Sequence, residues 1–381
     1  VSNPTTLLVE YSQPLVDGAG AVLGIFPPSN YSHEIAAMGG FRSAQISFGG
    51  TRAELEEWFA NGVGRHIRVM DGIDLVWEGF VNQVSIQTGV LTAARGPLLA
   101  IGNKVKVAYQ TVTYNTNPPI GGDAALTNNA EDTASQGRYG IVEKVLNGGS
   151  MNATEADQVR DTYLSEYKDP ETTQQINTQA ASANSVTLEC LGYISWLDAF
   201  YYTETANSGT RQIKQKIEDV LGAEPNSFIS TDYNRIDANS ATVGRYEQDQ
   251  QTGWAVIRDL VARGDSSGNR HLFGVYGDRI AQYGAIPTNV LYEYRLGDKS
   301  RKISVLGSNQ DVPYWKVRPG QWMRLPDFLI GRVGDDTPVG RDPRNIFIES
   351  VTYQIPWSVQ INGGKTGKLA QLLAQKGLGG M

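Results

Sequence analysis

The chain has 381 residues, of which 40% are hydrophobic, with one cysteine, a formal net charge of −7 and a pI near 5.2. That length predicts roughly two to four domains of about 100–200 residues, and the single Cys190 excludes an internal disulfide. The acidic balance argues against a protein that grips nucleic acid by its phosphates; no run of 18 apolar residues predicts a membrane-spanning helix, and Val1-Ser-Asn-Pro-Thr5 has neither the charged nor the apolar region of a signal peptide.

Residues 5–11 read as a strand, followed by a loop-rich stretch with Gly18, Gly20, Pro27 and Pro28. Gly18-Ala-Gly20 is no dinucleotide fingerprint, because Leu23 stands where the third glycine is needed and no strand–helix unit follows. Phe41 to Phe48 alternates as a strand. Thr51 and Glu54 then form a capping box, in which each side chain satisfies an orphan backbone N–H. Leu55, Trp58 and Phe59 make one apolar face on the helix that follows, residues 51–61, and Gly62 is expected to stop it in a left-handed cap. Asp71-Gly72 between alternating runs predicts a hairpin of 66–70 with 73–80, and Thr88-Gly89 a second one of 81–86 with 90–94. One short helix across a meander of strands makes a small barrel or sandwich with a plug, which 103–112 is expected to close.

Residues 113–137 form a long polar loop, of the kind that orders against a partner. A strand is expected over 139–145. Asn152 and Glu155 open a helix over 153–167 with Ala156, Val159, Tyr163 and Tyr167 on its apolar face. Aromatic-rich strands are expected over 186–203. Two further helices follow. Thr210 is expected to cap the first, which carries Ile213, Ile217, Val220 and Leu221, and Thr252 the second, led by Trp254 and ended by Arg263-Gly264. A hairpin of 270–276 with 279–283, turned at Gly277-Asp278, comes next. Strands are expected at 290–294, 302–306 and 315–317, then a turn at Arg318-Pro-Gly-Gln321. After a charged loop at 327–344, the strand 345–355 slips phase between Ile348 and Val351, the mark of a β-bulge. A tail helix is expected over 366–377.

No pattern points to chemistry. His33, His66 and His271 have no partner at metal-ligand spacing and are expected to be surface or hydrogen-bonded imidazoles. Cys190 sits in an apolar run, as a packed thiol does. The carboxylate groups at Asp335, Asp336 and Asp342, and at Glu247 and Asp249, read as solvated loops. There is no nucleophile elbow, zinc-protease motif or phosphate loop. The chain is therefore expected to be no enzyme, with no catalytic, metal or cofactor-binding residue. Leu55, Trp58, Phe59 and Trp254 are expected as core or interface anchors.

Three features together resemble a family. The strand, capped helix and Asp-Gly hairpin of 41–95 are similar to the tube-like barrel of phage tail-tube and baseplate hub proteins. The helix ending in Leu221-Gly222, then the Trp254-led helix ending in Arg263-Gly264 and a strand pair, resemble a helix pair in phage hubs and in the hub half of type VI secretion spikes. The Arg318–Gln321 turn and the strand 346–355 are like the closing strands of such a barrel.

The resemblance implies a mainly β fold with a few short helices, made of two tube-like β-barrels and inserted helix-containing domains. The first barrel would be residues 1–112, followed by a polar insert at 113–185, which aligns to nothing in the family. The second barrel would combine 186–208 with 289–365, interrupted by a two-helix domain at 209–288 and followed by a tail at 366–381. It further implies a virion structural protein made in the bacterial cytoplasm: a trimeric hub whose six barrels join the tail tube to a spike or fibre. Its partners would be tail-tube, distal tail and tape-measure proteins, with DNA passing through the ring without specific binding. Competing readings are a hexameric distal tail ring, a glycan-binding tail module using Tyr114 or Trp315, and a cell-wall hydrolase.

Overall fold

The computed structural model describes residues 7–17, 20–114, 120–176, 184–204, 209–246, 251–294, 302–308, 310–325, 345–354 and 358–364. The chain is mainly β, with few helices. Strands β1 (Leu7–Pro14), β2 (Val22–Phe26), β3 (Asn30–Ala36), β4 (Gly39–Gly49), β5 (Arg65–Asp71), β6 (Asp74–Thr88) and β7 (Leu91–Arg95) make the first unit with helix α1 (Arg52–Asn61). The two expected strands at 73–80 and 81–86 are one strand, β6, whose first half pairs with β5 and whose end pairs with β7. Both hairpins have two-residue turns, with Gly72 at φ 63° and Gly89 at φ 56°.

The capping box of α1 is present: Glu54 Nα donates to Thr51 Oγ1 at 3.3 Å, and Glu54 Oε2 accepts from the Thr51 backbone at 2.7 Å. Its C-terminal glycine has a different cause from the expected one. Gly62 has an ordinary helical φ of −74°. It is glycine because a Cβ there would lie 2.3 Å from the Trp58 carbonyl oxygen and 2.9 Å from both the Trp58 ring and Val84.

Strands β8 (Lys104–Thr113), β9 (Ile120–Leu126), β10 (Ala130–Glu131) and β11 (Glu143–Met151), with helices α2 (Thr133–Tyr139) and α3 (Ala153–Tyr167), form a separate sheet. This corrects the expectation that 103–112 closes the first unit. β8 is the centre of its own sheet, parallel to β11 on one side and antiparallel to β9 and β10, with Val105 and Val107 fully buried. A parallel pair needs a long crossover, and the polar stretch after β8 supplies it. Residues 133–139, expected as loop and strand, are instead helix α2, capped by Asp132.

The chain then returns. Strand β12 (Thr172–Ile176) pairs with β7, and β13 (Ser185–Leu191) inserts between β4 and β6. The expected opening strand of a second barrel, at 186–191, therefore belongs to the first unit. Val186, Leu188 and Cys190 alternate into the core of the first unit, and that buried face fixes the register of β13. Tyr193–Asp198 is a 3-10 helix and no strand, with Tyr193, Ile194, Trp196 and Leu197 all buried, a spacing that alternation cannot bury on one side.

The two-helix region holds β14 (Arg211–Gln212), α4 (Ile213–Gly222), β15 (Thr242–Val243), α5 (Gly253–Arg263), β16 (His271–Val275) and β17 (Ala281–Ala285). Thr210 does not cap α4. Arg211 and Gln212 are held extended by pairing with Val243 and Thr242, so the helix starts after Gln212. Thr252 does cap α5, accepting from the Ala255 backbone at 3.2 Å. The hairpin β16–β17 is tied to the first unit where Gly274 and Val275 run beside Gly39 and Gly40. A Cβ on Gly274 would stand 2.7 Å from the Gly40 nitrogen, so the approach needs glycine.

The last unit follows the order β20 (Gln310–Pro313), β19 (Lys302–Val305), β18 (Val290–Glu293), β21 (Trp322–Arg324), β22 (Asn345–Gln354) and β23 (Ser358–Gly364). Its core is Tyr292, Ile303, Val317, Met323, Ile348 and Val351. Trp315 lies in a 3-10 helix, Tyr314–Lys316, where a strand was expected. The register of β22 shifts between Ile348 and Ser350, where its apolar phase slips. Beyond that shift β22 leaves β21 and pairs with β3, so the first and last units share one sheet of 17 described strands. The expectations for Glu247, Asp249, Ile355, the loop 327–344 and the tail helix 366–377 fall outside the described residues.

Candidate functional site

Three of the expected anchors meet. Leu55 and Trp58 are buried under α1 and Phe59 is half-buried beside them. The Trp58 ring stands 4.8 Å from Tyr11, 5.5 Å from Phe48 and 6.0 Å from Phe26, and the Arg65 guanidinium lies over it at 4.8 Å. Trp254 is buried elsewhere, on α5, with its ring 6.3 Å from Phe273.

The feature that sequence reasoning missed is β2. It pairs only with β1 among the described strands, so its other edge carries no partner there. Its side chains are apolar and exposed: Val22 is 53%, Leu23 45% and Ile25 55% accessible. Phe26 alone turns inward, 4.1 Å from Phe48. Its neighbour β1 adds exposed Leu8. An open edge with an apolar outer face invites another strand. The signal was in the chain: Val22-Leu-Gly-Ile-Phe26 is a short apolar run bounded by Gly20 and Pro27. Among the described strands β12 also pairs on one side only, with β7, and its five residues are all exposed, Ile176 among them.

Beside β2 is a polar cavity of about 220 Å3, lined by Glu10, Ser12, Val22, His66, Arg68, Glu78 and Arg279 among others. His66 Nδ1 meets the Tyr193 hydroxyl at 2.6 Å, and His66 Nε2 lies 3.4 Å from Glu78. Glu78 also accepts from the Arg279 backbone at 3.2 Å. Burial, then the Arg279 and Arg68 charges, lower His66 to about 4, so it is neutral at pH 7. Burial raises the Glu78 carboxyl and the Tyr193 phenol. Raising the phenol moves it away from nucleophilic use. The cluster ties β5, β6, the 193–198 helix and the 277–279 turn together.

The remaining candidates are dispersed. His33 is buried with both ring nitrogens unpartnered, contrary to the expected surface or hydrogen-bonded imidazole. His271 is buried, stacked on Tyr283 at 4.9 Å. Cys190 is fully enclosed and burial pushes its thiol up, which makes it inert. Of the two aromatics considered for glycan binding, Tyr114 is exposed and donates to Glu155 at 3.1 Å, but Trp315 is buried. Among the described residues no group of three His, Cys, Asp or Glu is placed to hold a metal, and no helix is long and apolar enough to cross a membrane.

The sequence matches no protein-family description and no curated protein. Among solved structures, the chain is similar over 92% of its length to 92% of a tail protein from Neisseria meningitidis MC58, at 7% identity and a TM-score of 0.40. It is also similar over 97% of its length to 98% of the 43 kDa tail protein of prophage MuSo2 from Shewanella oneidensis, at 8% identity and a TM-score of 0.42.

Proposed function

We propose that this chain is a structural component of a phage tail tip, a hub subunit that assembles into a ring between the tail tube and a spike or fibre. The open apolar edge of β2 carries the reading: Val22, Leu23 and Ile25 face out from a strand with one side unpaired. Such an edge is best satisfied by a strand of another chain, and ring closure needs no catalytic group. The chain order supports the same reading, with a capped helix on a meander, a helix pair closed by Leu221-Gly222 and Arg263-Gly264, and a bulged late strand.

In this reading three subunits, each giving two tube-like barrels, form the ring. The second barrel would be the unit of β18–β23. Tail-tube, distal tail, spike or fibre and tape-measure proteins are its partners, and the virion is its place. An acidic lumen lets DNA pass without sticking, consistent with the charge of −7.

Light scattering of the purified chain, followed by negative-stain averaging, tests this. A trimer with six lobes around a hole is expected. A hexameric ring would make it a distal tail protein instead, a stable monomer in all conditions would remove the ring, and a basic lumen would remove the DNA-passage role.

A further inference from the structure

Where the first unit, the β16–β17 hairpin and the last unit meet, they enclose a cleft of about 740 Å3. Phe41 and Tyr276 form its apolar floor, their rings edge to face at 5.8 Å, with Leu75 beside them. Arg318 lines the cleft from the last unit, next to Gly320, whose φ of 85° and missing side chain keep that wall low.

Among the described residues Arg318 has no matching charge. No carboxylate of the described residues lies within 4.0 Å of its guanidinium. Among the described residues the guanidinium has one hydrogen bond, a long one from Nη1 to the Trp315 carbonyl at 3.4 Å. Its other neighbours include the phenols Tyr276 and Tyr292 and the His33 imidazole, and burial holds it below its ordinary pKa. Asp278, on the hairpin side, faces Arg68 at 3.9 Å instead. A guanidinium drawn out of water calls for a carboxylate, which its planar fork can bind through two parallel hydrogen bonds.

We propose that this cleft receives an acidic segment of a partner polypeptide, with a carboxylate of that segment paired to Arg318 and an apolar neighbour on the Phe41–Tyr276 floor. The cleft is also lined by Arg235, Asp237 and Asp278, and Arg318 is the cation that stands beside the apolar floor. A polypeptide fits better than a small acid, because it sets a carboxylate and an apolar side chain side by side, as ligands of peptide-binding clefts do. A small acid would leave the floor wet. The inference stands apart from the tail-tip reading, since it rests on the cleft alone.

The test is fluorescence anisotropy of the full chain with a labelled hexapeptide alternating glutamate and phenylalanine. Its glutamine-for-glutamate counterpart and free citrate serve as the other arms. The glutamate peptide is expected to bind at least about tenfold more tightly than either. Arg318→Gln is expected to lose about tenfold in affinity while melting no lower than the parent chain, because an uncompensated charge is removed. Gln282→Trp, which fills the cleft from the hairpin side, is expected to block binding without touching Arg318. Failure of the glutamate peptide to bind, equal binding by the glutamine peptide, citrate binding as tight as the peptide, or Arg318→Gln binding unchanged would each overturn the proposal.

Discussion

His33 and Tyr353 stand directly opposite one another across the β3–β22 pairing, ring centroids 5.4 Å apart, at the line where the last unit joins the first. Tyr31 flanks His33 at the same 5.4 Å. Burial, then the Arg318 charge, lower His33 to about 3, against an ordinary value of 6.5. The junction of the two units is thus built around an imidazole kept neutral.

Acid should weaken that junction. A histidine with a depressed folded-state pKa binds fewer protons folded than unfolded between the two values. Stability is then full above about 6.5 and falls as pH drops toward about 3, by up to about 1.4 kcal/mol per pH unit for one such group. His66, lowered to about 4, acts in the same sense, and Glu78, with its carboxyl raised, in the opposite one. His33→Phe is expected to lessen the fall in melting temperature between pH 6.5 and pH 4, leaving the share that His66 carries. A slope equal to that of the parent chain would show that His33 does not carry it.

Truncating Trp58 removes a buried ring that touches Tyr11, Phe26 and Phe48. Trp58→Ala is expected to cost about 3–5 kcal/mol, measured by urea unfolding. Phe59→Ala, at a half-buried position, should cost less. Equal losses would misplace the anchor.

On β2 stability and assembly should separate. Leu23→Lys and Ile25→Lys place charges at exposed positions and should leave the melting temperature within a degree or two while lowering the mass seen by light scattering. Phe26→Ala, whose ring meets Phe48 at 4.1 Å, should destabilise the subunit itself. Lysine variants that assemble normally would exclude β2 as the assembly edge.

Two glycines test two different reasons for glycine. At Gly62 the backbone is helical but an added methyl meets Trp58 and Val84, so Gly62→Ala should cost about 1–3 kcal/mol through overpacking. At Gly72 nothing lies within 4 Å, but φ is 63°. Gly72→Ala should cost about 1–2 kcal/mol through backbone strain alone. Circular-dichroism melts read both, and a Gly62→Ala as stable as the parent chain would mean that the end of α1, the Trp58 carbonyl included, shifts freely.

Local chemistry was legible wherever neighbouring residues decide conformation. Thr51 with Glu54 and Asn152 with Glu155 marked two helix starts, Asp71-Gly72 a turn, and the phase slip after Ile348 a register shift, because each depends on hydrogen bonds or side-chain alternation within a few residues. What the chain could not declare was pairing at a distance. Nothing near Val186 says that its strand lies between β4 and β6, and nothing near Lys104 says that its strand leaves the first sheet for another. An alternating strand presents the same apolar face to any sheet that can cover it. Only the competition among all such faces for one interior decided where each went. Among the described residues that competition also left Val22, Leu23 and Ile25 uncovered and Arg318 without a carboxylate, the two features on which the functional readings rest.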